Sequence, residues 1–366
     1  MNIIVTGTRG IPDIQGGVET HCEEIFPYTA KSAENKVTII RRSGFVTQEN
    51  NVSEFKNINI VTLYSPRSKS FEAFFHTFLS VMYAAWKRPD ILHIHAVGPS
   101  LFVPLARLLG LKVVMTHHGP DYERKKWGKL AKSTLKLGER FGVLCANRVI
   151  VISHGIKKSI QQKYGRTDCI LIPNGVPFVE KATNTDYLDE LGLEKYKYIF
   201  TLGRFVEEKG FDYLIEAYKQ TNIFNQYKLV IAGDADHETS YSRQLKEFAI
   251  ENGIILTGFI KGDKLKQLFS FARLFVLPSF YEGLPISLLE AMRYELSILA
   301  SDIEPNKEVE LPSDCYFKIG CVDDLAVKLK EKLANPYLPQ QYNMDKYNWE
   351  EIAAQTYMVY QSLLNK

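Results

Sequence analysis

Long apolar runs are missing from this chain of 366 residues. Spanning a bilayer takes roughly 18 or more consecutive apolar residues. The nearest stretch, FEAFFHTFLSVMYAAW at 71–86, is broken by Glu72 and His76. It reads either as an aromatic-rich core helix or as a helix on a membrane surface, flanked by Arg67, Lys69, Lys87 and Arg88. Cysteine is sparse as well: Cys22, Cys145, Cys169, Cys315 and Cys321 are odd in number, scattered, and form no CxxC pair. That argues against a structural zinc site and for reduced thiols in a cytosolic compartment. The opening MNIIVTG has no basic region or long apolar run before it and reads as a strand rather than a secretory signal. A dinucleotide fingerprint GxGxxG is absent too: Gly7 and Gly10 are three apart, and the next glycines are Gly16 and Gly17. After the second strand comes Arg41-Arg42 instead of an acidic ribose ligand. An arginine there can accommodate the 2′-phosphate of NADP, so an NADP-dependent oxidoreductase remains a remote reading.

What is present is the composition of a soluble globular protein, 45% hydrophobic and 24% charged, with length enough for two domains. The net charge of +3 hides an asymmetry. Residues 1–175 carry 24 Lys and Arg against 13 Asp and Glu, and the remainder carries 21 against 29. A first half at +11 and a second at −8 suggests that the first meets something anionic: a phospholipid surface or a lipid diphosphate, less readily nucleic acid.

Apolar strand-like runs alternate with amphipathic helical patterns through both halves, from Asn2–Thr6 to Ile170–Ile172 and again from Tyr198–Gly203 to Tyr316–Lys318. Buried β-branched strands between helices indicate two doubly wound parallel sheets. The boundary falls at Ile172-Pro173-Asn174-Gly175-Val176-Pro177, where two prolines and an Asn-Gly turn break both kinds of element. The expected organisation is therefore 1–174, 175–345, and a C-terminal segment 346–366 whose helix can pack on either domain.

Five segments carry chemistry. GTRGIPDIQGGVET (7–20) joins the first strand to the first helix, where Gly16-Gly17 would let the loop fold against a phosphate or sugar. VVMTHHGP (113–120) ends a strand with His117-His118-Gly119; His118 is the candidate for substrate contact and His117 packs or bonds behind it. No carboxylate or cysteine stands at ligand spacing there, so no metal is expected. Downstream lie Asp121, Arg124, Lys125, Lys126 and Trp127, then a basic helix with Lys129, Lys132, Lys136 and Arg140. That helix is either a solvated face or a dock for acidic lipid headgroups. In FTLGRFVEEKG (200–210), Arg204 and Lys209 are placed to neutralise a diphosphate, with surface pairing to Glu207 and Glu208 as the plainer alternative. Asp234-Ala235-Asp236 matches the DxD of metal-dependent sugar transferases only superficially, and reads as a loop after a strand. Finally, FYEGLPISLLEAM (280–292) sets Glu282 before a helix start and Glu290 in its second turn. Free N–H groups at that start would hold an anion between them, which suits phosphate plus hydroxyl groups.

Together these segments resemble the family-4 retaining glycosyltransferases of GT-B architecture, over nearly the whole chain. The carriers are Gly16-Gly17-Val18-Glu19, His118-Gly119, Ile172 to Val176, Gly203-Arg204 with Lys209-Gly210, and Glu282 through Glu290. GTRGIP with GGVET is similar, more narrowly, to a bacterial subgroup that includes rhamnosyltransferases of capsule and polysaccharide assembly. The resemblance implies an α/β fold with two Rossmann-like domains facing a central cleft, 1–174 on the acceptor side and 175–345 on the donor side, the C-terminal helix crossing back to the first. It implies that Glu282 bonds donor-sugar hydroxyls, that backbone N–H groups of Gly283, Leu284, Ile286 and Ser287 face the phosphates, and that Glu290 binds the ribose. Arg204 and Lys209, beside Gly203, would clamp the diphosphate. Gly16 and Gly17 would approach the phosphate or acceptor, and His118 would contact the transferring sugar. The implied activity is retaining transfer of a hexosyl or deoxyhexosyl group from a nucleotide-diphosphate sugar to a glycan or lipid-diphosphate-linked acceptor, in bacterial surface polysaccharide synthesis. No cofactor or metal is implied, no nucleic acid partner, and a cytoplasmic location, peripheral at the inner face of the membrane. Other readings are a nucleotide-sugar epimerase of the same architecture and a non-catalytic nucleotide-sugar-binding protein.

Overall fold

The structure, a computed structural model, describes residues 1–66, 71–123 and 127–365. Arg67, Lys69, Arg124, Lys125 and Lys126, which the basic-surface reading uses, lie outside the described residues. The chain divides into two compact units, Met1–Gly175 with Tyr347–Lys366, and Val176–Lys346.

The first unit begins β1 (Asn2–Thr6), α1 (Gly17–Ala30), β2 (Lys36–Arg42), β3 (Glu54–Phe55) and β4 (Ile58–Leu63). It goes on through α2 (Glu72–Lys87), β5 (Ile91–His95), α3 (Val103–Leu108), β6 (Val113–His117) and α4 (Lys129–Cys145). β7 (Arg148–Val151), α5 (His154–Tyr164) and β8 (Ile170–Leu171) complete its sheet. The strand order is β3-β4-β2-β1-β5-β6-β7-β8, parallel throughout except for the β3–β4 pair. Between β5 and β6 the chain forms a 3-10 turn at Pro99–Phe102 and then α3, with prolines at the first turn of each, where a missing N–H costs nothing.

Crossovers between parallel strands are right-handed, so connections that step the same way along a sheet lie on the same face. β4 to β5, β5 to β6 and β6 to β7 step one way, and β1 to β2 steps the other. α2, the 99–108 segment and α4 therefore form one layer, and they pack side by side. α1 covers the opposite face.

The second unit runs α6 (Asp186–Glu190), β9 (Tyr198–Leu202), α7 (Phe211–Thr221), β10 (Lys228–Ala232), α8 (Ser240–Glu251) and β11 (Ile255–Gly258). Then come α9 (Gly262–Phe271), β12 (Leu274–Leu277), α10 (Ile286–Arg293), β13 (Ile298–Ser301), α11 (Glu304–Lys307), β14 (Tyr316–Phe317) and α12 (Val322–Ala334). Its sheet is wholly parallel in the order β11-β10-β9-β12-β13-β14. Counted along the chain, that is the doubly wound 3-2-1-4-5-6 order, with the reversal between β9 and β12. Phe269 stacks on Phe275 and on Tyr294 in its core, the latter with ring centroids 5.0 Å apart, and meets Phe200 edge to face.

The last helix, α13 (Trp349–Leu364), belongs to the first unit and packs on α1. Asn348 caps it by accepting from the Glu350 amide at 2.9 Å. Trp349 is fully buried against Gly175, where an added Cβ would stand 2.6 Å from the indole. The Asn-Gly pair at the boundary is thus more than a chain-breaker, because its glycine makes room for the returning helix.

One expectation is corrected. α2 is not an aromatic core helix: Phe71, Phe74, Phe78, Met82 and Trp86 are exposed, while Glu72, His76, Thr77 and Ser80 are buried.

Candidate active site

In doubly wound sheets the loops at the carboxyl ends of the strands diverge where the strand order reverses, and ligands bind in the crevice so opened. In the second unit the reversal lies between β9 and β12, and their two loops hold the motif residues. After β9, Gly203-Arg204 leads through a short 3-10 turn, Glu207–Lys209, to Gly210. Gly210 takes φ +63°, and a Cβ there would lie 2.4 Å from the Pro278 carbonyl on the neighbouring loop. Only glycine admits that approach. The loops are also tied by the Phe280 amide, which donates to the Glu208 carbonyl at 2.8 Å.

This close seating brings Lys209 and Glu282 together. Lys209 Nζ donates to Glu282 Oε1 at 2.6 Å, with both side chains mostly buried. Arg204 meets Asp236 at 2.9 Å, and Asp234 meets Lys246 at 2.7 Å. Asp236, read from sequence as a loop feature, is thereby a partner of the first motif cation.

α10 starts at Ile286 with Pro285 as its N-cap, and no side chain among the described residues caps it. Leu288 and Leu289 donate back to the Pro285 carbonyl, but the amides of Ile286 and Ser287 have no acceptor among the described residues. Two free N–H groups at a helix start and carboxylates before the helix and in its second turn stand within one loop–helix unit, and the neighbouring loop brings a lysine to the first of those carboxylates. Such a start favours an anion. Leu284, Ile286, Leu288, Leu289 and Met292 are buried and seat the helix.

In the first unit the reversal lies between β1 and β5. The loop after β1 folds around the carboxylate of Glu19, which is buried at 4% exposure. Glu19 Oε1 accepts from the Arg9 amide at 2.9 Å and from Thr8 Oγ1 at 3.2 Å. Gly16 has φ +150°, and a Cβ on it would lie 2.0 Å from Glu19 Oε2. Gly16 is therefore explained by folding. Gly17 is not: it is exposed, and a Cβ there would meet nothing within 4 Å.

Four histidines gather beside this loop: His21 from α1, His93 and His95 from β5, and His118 after β6. His21 Nδ1 bonds Asn174 Oδ1 at 3.0 Å, His93 bonds Tyr360 and Thr116 at 2.7 Å each, and His95 Nδ1 lies 2.9 Å from His118 Nε2. Burial holds all four neutral. It lowers His21 to about 4 against the opposing bond from Asn174, lowers His93 to about 3, and puts His95 and His118 well below the ordinary imidazole value. His95 Nε2 is buried and has no partner among the described residues. An orphaned N–H is costlier and rarer than an orphaned lone pair, which assigns the proton to His95 Nδ1. That nitrogen donates to His118 Nε2, so His118 carries its own proton on Nδ1 and is a donor there.

His117 is the supporting residue. The Gly119 amide donates to its Nδ1 at 3.1 Å, so its Nε2–H donates to Glu139 at 2.9 Å. Glu139 also accepts from Tyr122 and Tyr164. Burial raises the Glu139 pKa, the bonds from His117 and Tyr164 lower it, and the net is a downward shift.

His21, His95 and His118 place one ligand atom each within 4.8 Å of one another. The fold thus assembles a histidine group that linear spacing hides. A tetrahedral zinc, with nitrogens at about 2.0–2.1 Å, holds them about 3.3 Å apart. The 2.9 Å contact between His95 and His118 instead has the length of a shared-proton bond.

Arg41 and Arg42, the residues an NADP enzyme would use, have internal work. Arg41 is buried and donates to the carbonyls of Asn50 and Val52, and Arg42 pairs with Glu72 at 3.1 Å. Sequence reading missed the roles of His21, His95 and Asn174. Its available signal was ILHIH at 91–95, whose period of two puts both histidines on one face at the carboxyl end of a strand.

Residues 15–178 match glycosyltransferase family 4, and residues 184–349 match the glycosyl transferases of group 1. An uncharacterized glycosyltransferase of Methanocaldococcus jannaschii is 24% identical, covering 95% of each chain. The UDP-Gal:alpha-D-GlcNAc-diphosphoundecaprenol alpha-1,3-galactosyltransferase of Escherichia coli is 32% identical over 59% of each. Among solved structures, sucrose-phosphate synthase from Thermosynechococcus elongatus superposes with a TM-score of 0.82 at 21% identity, covering 100% of this chain and 99% of that one. With two consecutive family matches and this fold, the chain belongs to the group 1 and family 4 glycosyltransferases and has the GT-B architecture.

Proposed function

We propose that this glycosyltransferase transfers a hexosyl or deoxyhexosyl group, with retention, from a nucleotide-diphosphate sugar to a glycan or lipid-diphosphate-linked acceptor in bacterial surface polysaccharide synthesis, without a metal. The observation that carries the reading is the Lys209–Glu282 pair beside the free amides of Ile286 and Ser287, at the reversal point of the second sheet. A diphosphate needs cations and N–H donors, and a sugar needs a carboxylate acceptor within a few ångströms of them. The Escherichia coli relative uses a UDP-sugar and a diphosphoundecaprenol-linked acceptor by its name, which supports extending both classes to this chain.

In this reading Lys209 leaves Glu282 for the diphosphate, and Arg204 stabilises the same leaving group, beside the backbone of Gly203. Glu282 then accepts from donor-sugar hydroxyls, and Glu290 from the ribose. The amides of Ile286 and Ser287, with the backbone of Gly283 and Leu284, face the phosphates. His118 donates from Nδ1 to a hydroxyl of the transferring sugar, and Gly16-Gly17 leave room for phosphate or acceptor. The acceptor oxygen forms its bond to the anomeric carbon on the face from which the diphosphate departs, and the acceptor proton passes to that diphosphate. Rate enhancement comes from charge stabilisation and positioning, with no protein nucleophile assigned. The enzyme would work in the cytoplasm, peripheral at the inner face of the membrane.

A screen of nucleotide sugars for thermal stabilisation, followed by transfer assays with and without chelator, tests this. Binding to the native state raises the melting temperature. A sugar nucleotide that stabilises, is consumed only when acceptor is present, and is indifferent to chelator supports the reading. Conversion of the donor to an isomer with no acceptor would mark an epimerase, and strict dependence on added divalent metal would overturn the metal-free mechanism.

A further inference from the structure

The amphipathicity of α2 is inverted. Its buried residues are Glu72, His76, Thr77 and Ser80 with Val81 and Ala84, while Phe75 and Leu79 are half-buried at the flanks. Outward it turns Phe74, Phe78, Met82 and Trp86, spaced four apart, with Phe71 ahead of them. Trp86 is 72% exposed. A surface helix ordinarily buries such a stripe. Here the stripe ends in cations, Lys87 with Nζ 4.0 Å from the Trp86 ring and then Arg88, both exposed.

α4, in the same layer, repeats the arrangement. Its inner face is cut small, with Gly138 and Gly142 buried where a side chain would strike residues 97–100. On its outer face Leu130, Leu137 and Leu144 recur every seven residues, and Leu130 is 84% exposed. Lys129, Lys136 and Arg140 are exposed among them. Leucines and aromatics alternating with lysine and arginine on one outward face is the pattern of a helix lying in a membrane interface.

We propose that the outer face of the α2–α4 layer docks this chain on a bilayer surface carrying anionic headgroups. Charge decides the occupant. The half of the chain that bears this face has a net charge of +11, whereas a protein–protein interface is depleted of lysine at its centre. The aromatic and leucine side chains would enter the acyl boundary while the cations stay at phosphate level. The proposal rests on the reading of a lipid-linked acceptor and deepens it, by naming the surface that would bring the enzyme to such a substrate.

The test is co-sedimentation of the full chain with vesicles of phosphatidylglycerol and phosphatidylcholine, against vesicles of phosphatidylcholine alone. Binding is expected with the first only, and is weakened by salt. Lys129→Glu/Lys136→Glu/Arg140→Glu should lower partitioning by on the order of a hundredfold. Phe78→Ser/Trp86→Ser should lower it by about tenfold or more. Both variants should keep the wild-type circular dichroism and full transfer to a water-soluble acceptor. The vesicle assay contains no nucleotide sugar, so an inactive enzyme that still binds vesicles would refute the transferase reading alone. Absence of vesicle binding, equal binding by wild type and both variants, or a dimer in sedimentation velocity that Phe78→Ser/Trp86→Ser dissolves would overturn the proposal.

Discussion

Lys209 and Glu282 come from loops 73 residues apart and meet at 2.6 Å where the second sheet reverses its order. In the proposed reading each neutralises the other until a ligand offers something better: a diphosphate for the ammonium, a hydroxyl for the carboxylate. Removing either should therefore cost turnover more than folding. Lys209→Ala and Glu282→Ala are each expected to lower kcat/KM by about 100-fold to 1000-fold, with circular dichroism unchanged. Near-normal turnover in both would sink the assignment.

Gly17 offers a cleaner separation of folding from function. Among the described residues nothing lies within 4 Å of a Cβ placed there. Gly17→Val should melt within a few degrees of wild type yet lose transfer by about a hundredfold or more, as expected when a reacting group is displaced by an ångström. Gly16→Val is the control, since its side chain would strike Glu19 and should destabilise the fold. Equal activity in Gly17→Val would mean that no ligand approaches this turn.

In the proposed reading His95 acts through His118, which it contacts at 2.9 Å, and is a positioning residue. An asparagine amide can reproduce the N–H at the Nδ1 place, whereas leucine cannot. His95→Leu should lower kcat by about tenfold to a hundredfold with little change in donor KM, and His95→Asn should recover most of the loss. Nitrogen-15 NMR of the resting enzyme should find the His118 proton on Nδ1 in wild type and in His95→Asn. A proton on Nε2 in wild type would disprove the tautomer independently of any activity.

The buried histidines also set an acid limit. Folding holds His21 near 4 and His76 and His93 near 3, and keeps His95 and His118 well below their ordinary range, mainly through burial. In the unfolded chain each returns to about 6.5. Below that value the unfolded state binds more protons than the folded one, so stability falls as pH falls, by about 1.4 kcal/mol per pH unit for each histidine. The melting temperature should be level above about pH 6.5 and drop steeply toward pH 4. A flat profile down to pH 5 would mean that these imidazoles are not held neutral.

The sequence disclosed what depends on local pattern. The strand Asn2–Thr6, the break at Ile172 to Pro177 and the helix start between Glu282 and Glu290 were all readable, because periodicity and proline chemistry act within a few residues. The alternating helices and strands implied both sheets, and the order of motifs implied the family. What stayed hidden depends on which strands become neighbours. Nothing within 200–210 says that Lys209 will face Glu282, and nothing near His21 says that Asn174 will hold it. α2 misled for a related reason: its apolar stripe was legible, but the side it would turn outward was not.

The final helix has a bearing on how this protein is made. Trp349 and Tyr360 complete the core of the first unit, with Tyr360 bonded to His93 and Trp349 seated on Gly175. They are synthesised only after the 171 residues of Val176–Lys346. During translation the first 175 residues must wait, with the place of α13 still open, while the second unit emerges. The unit begun first is thus the last to be finished, and a ribosome stalled short of the last helix leaves it with an uncovered core.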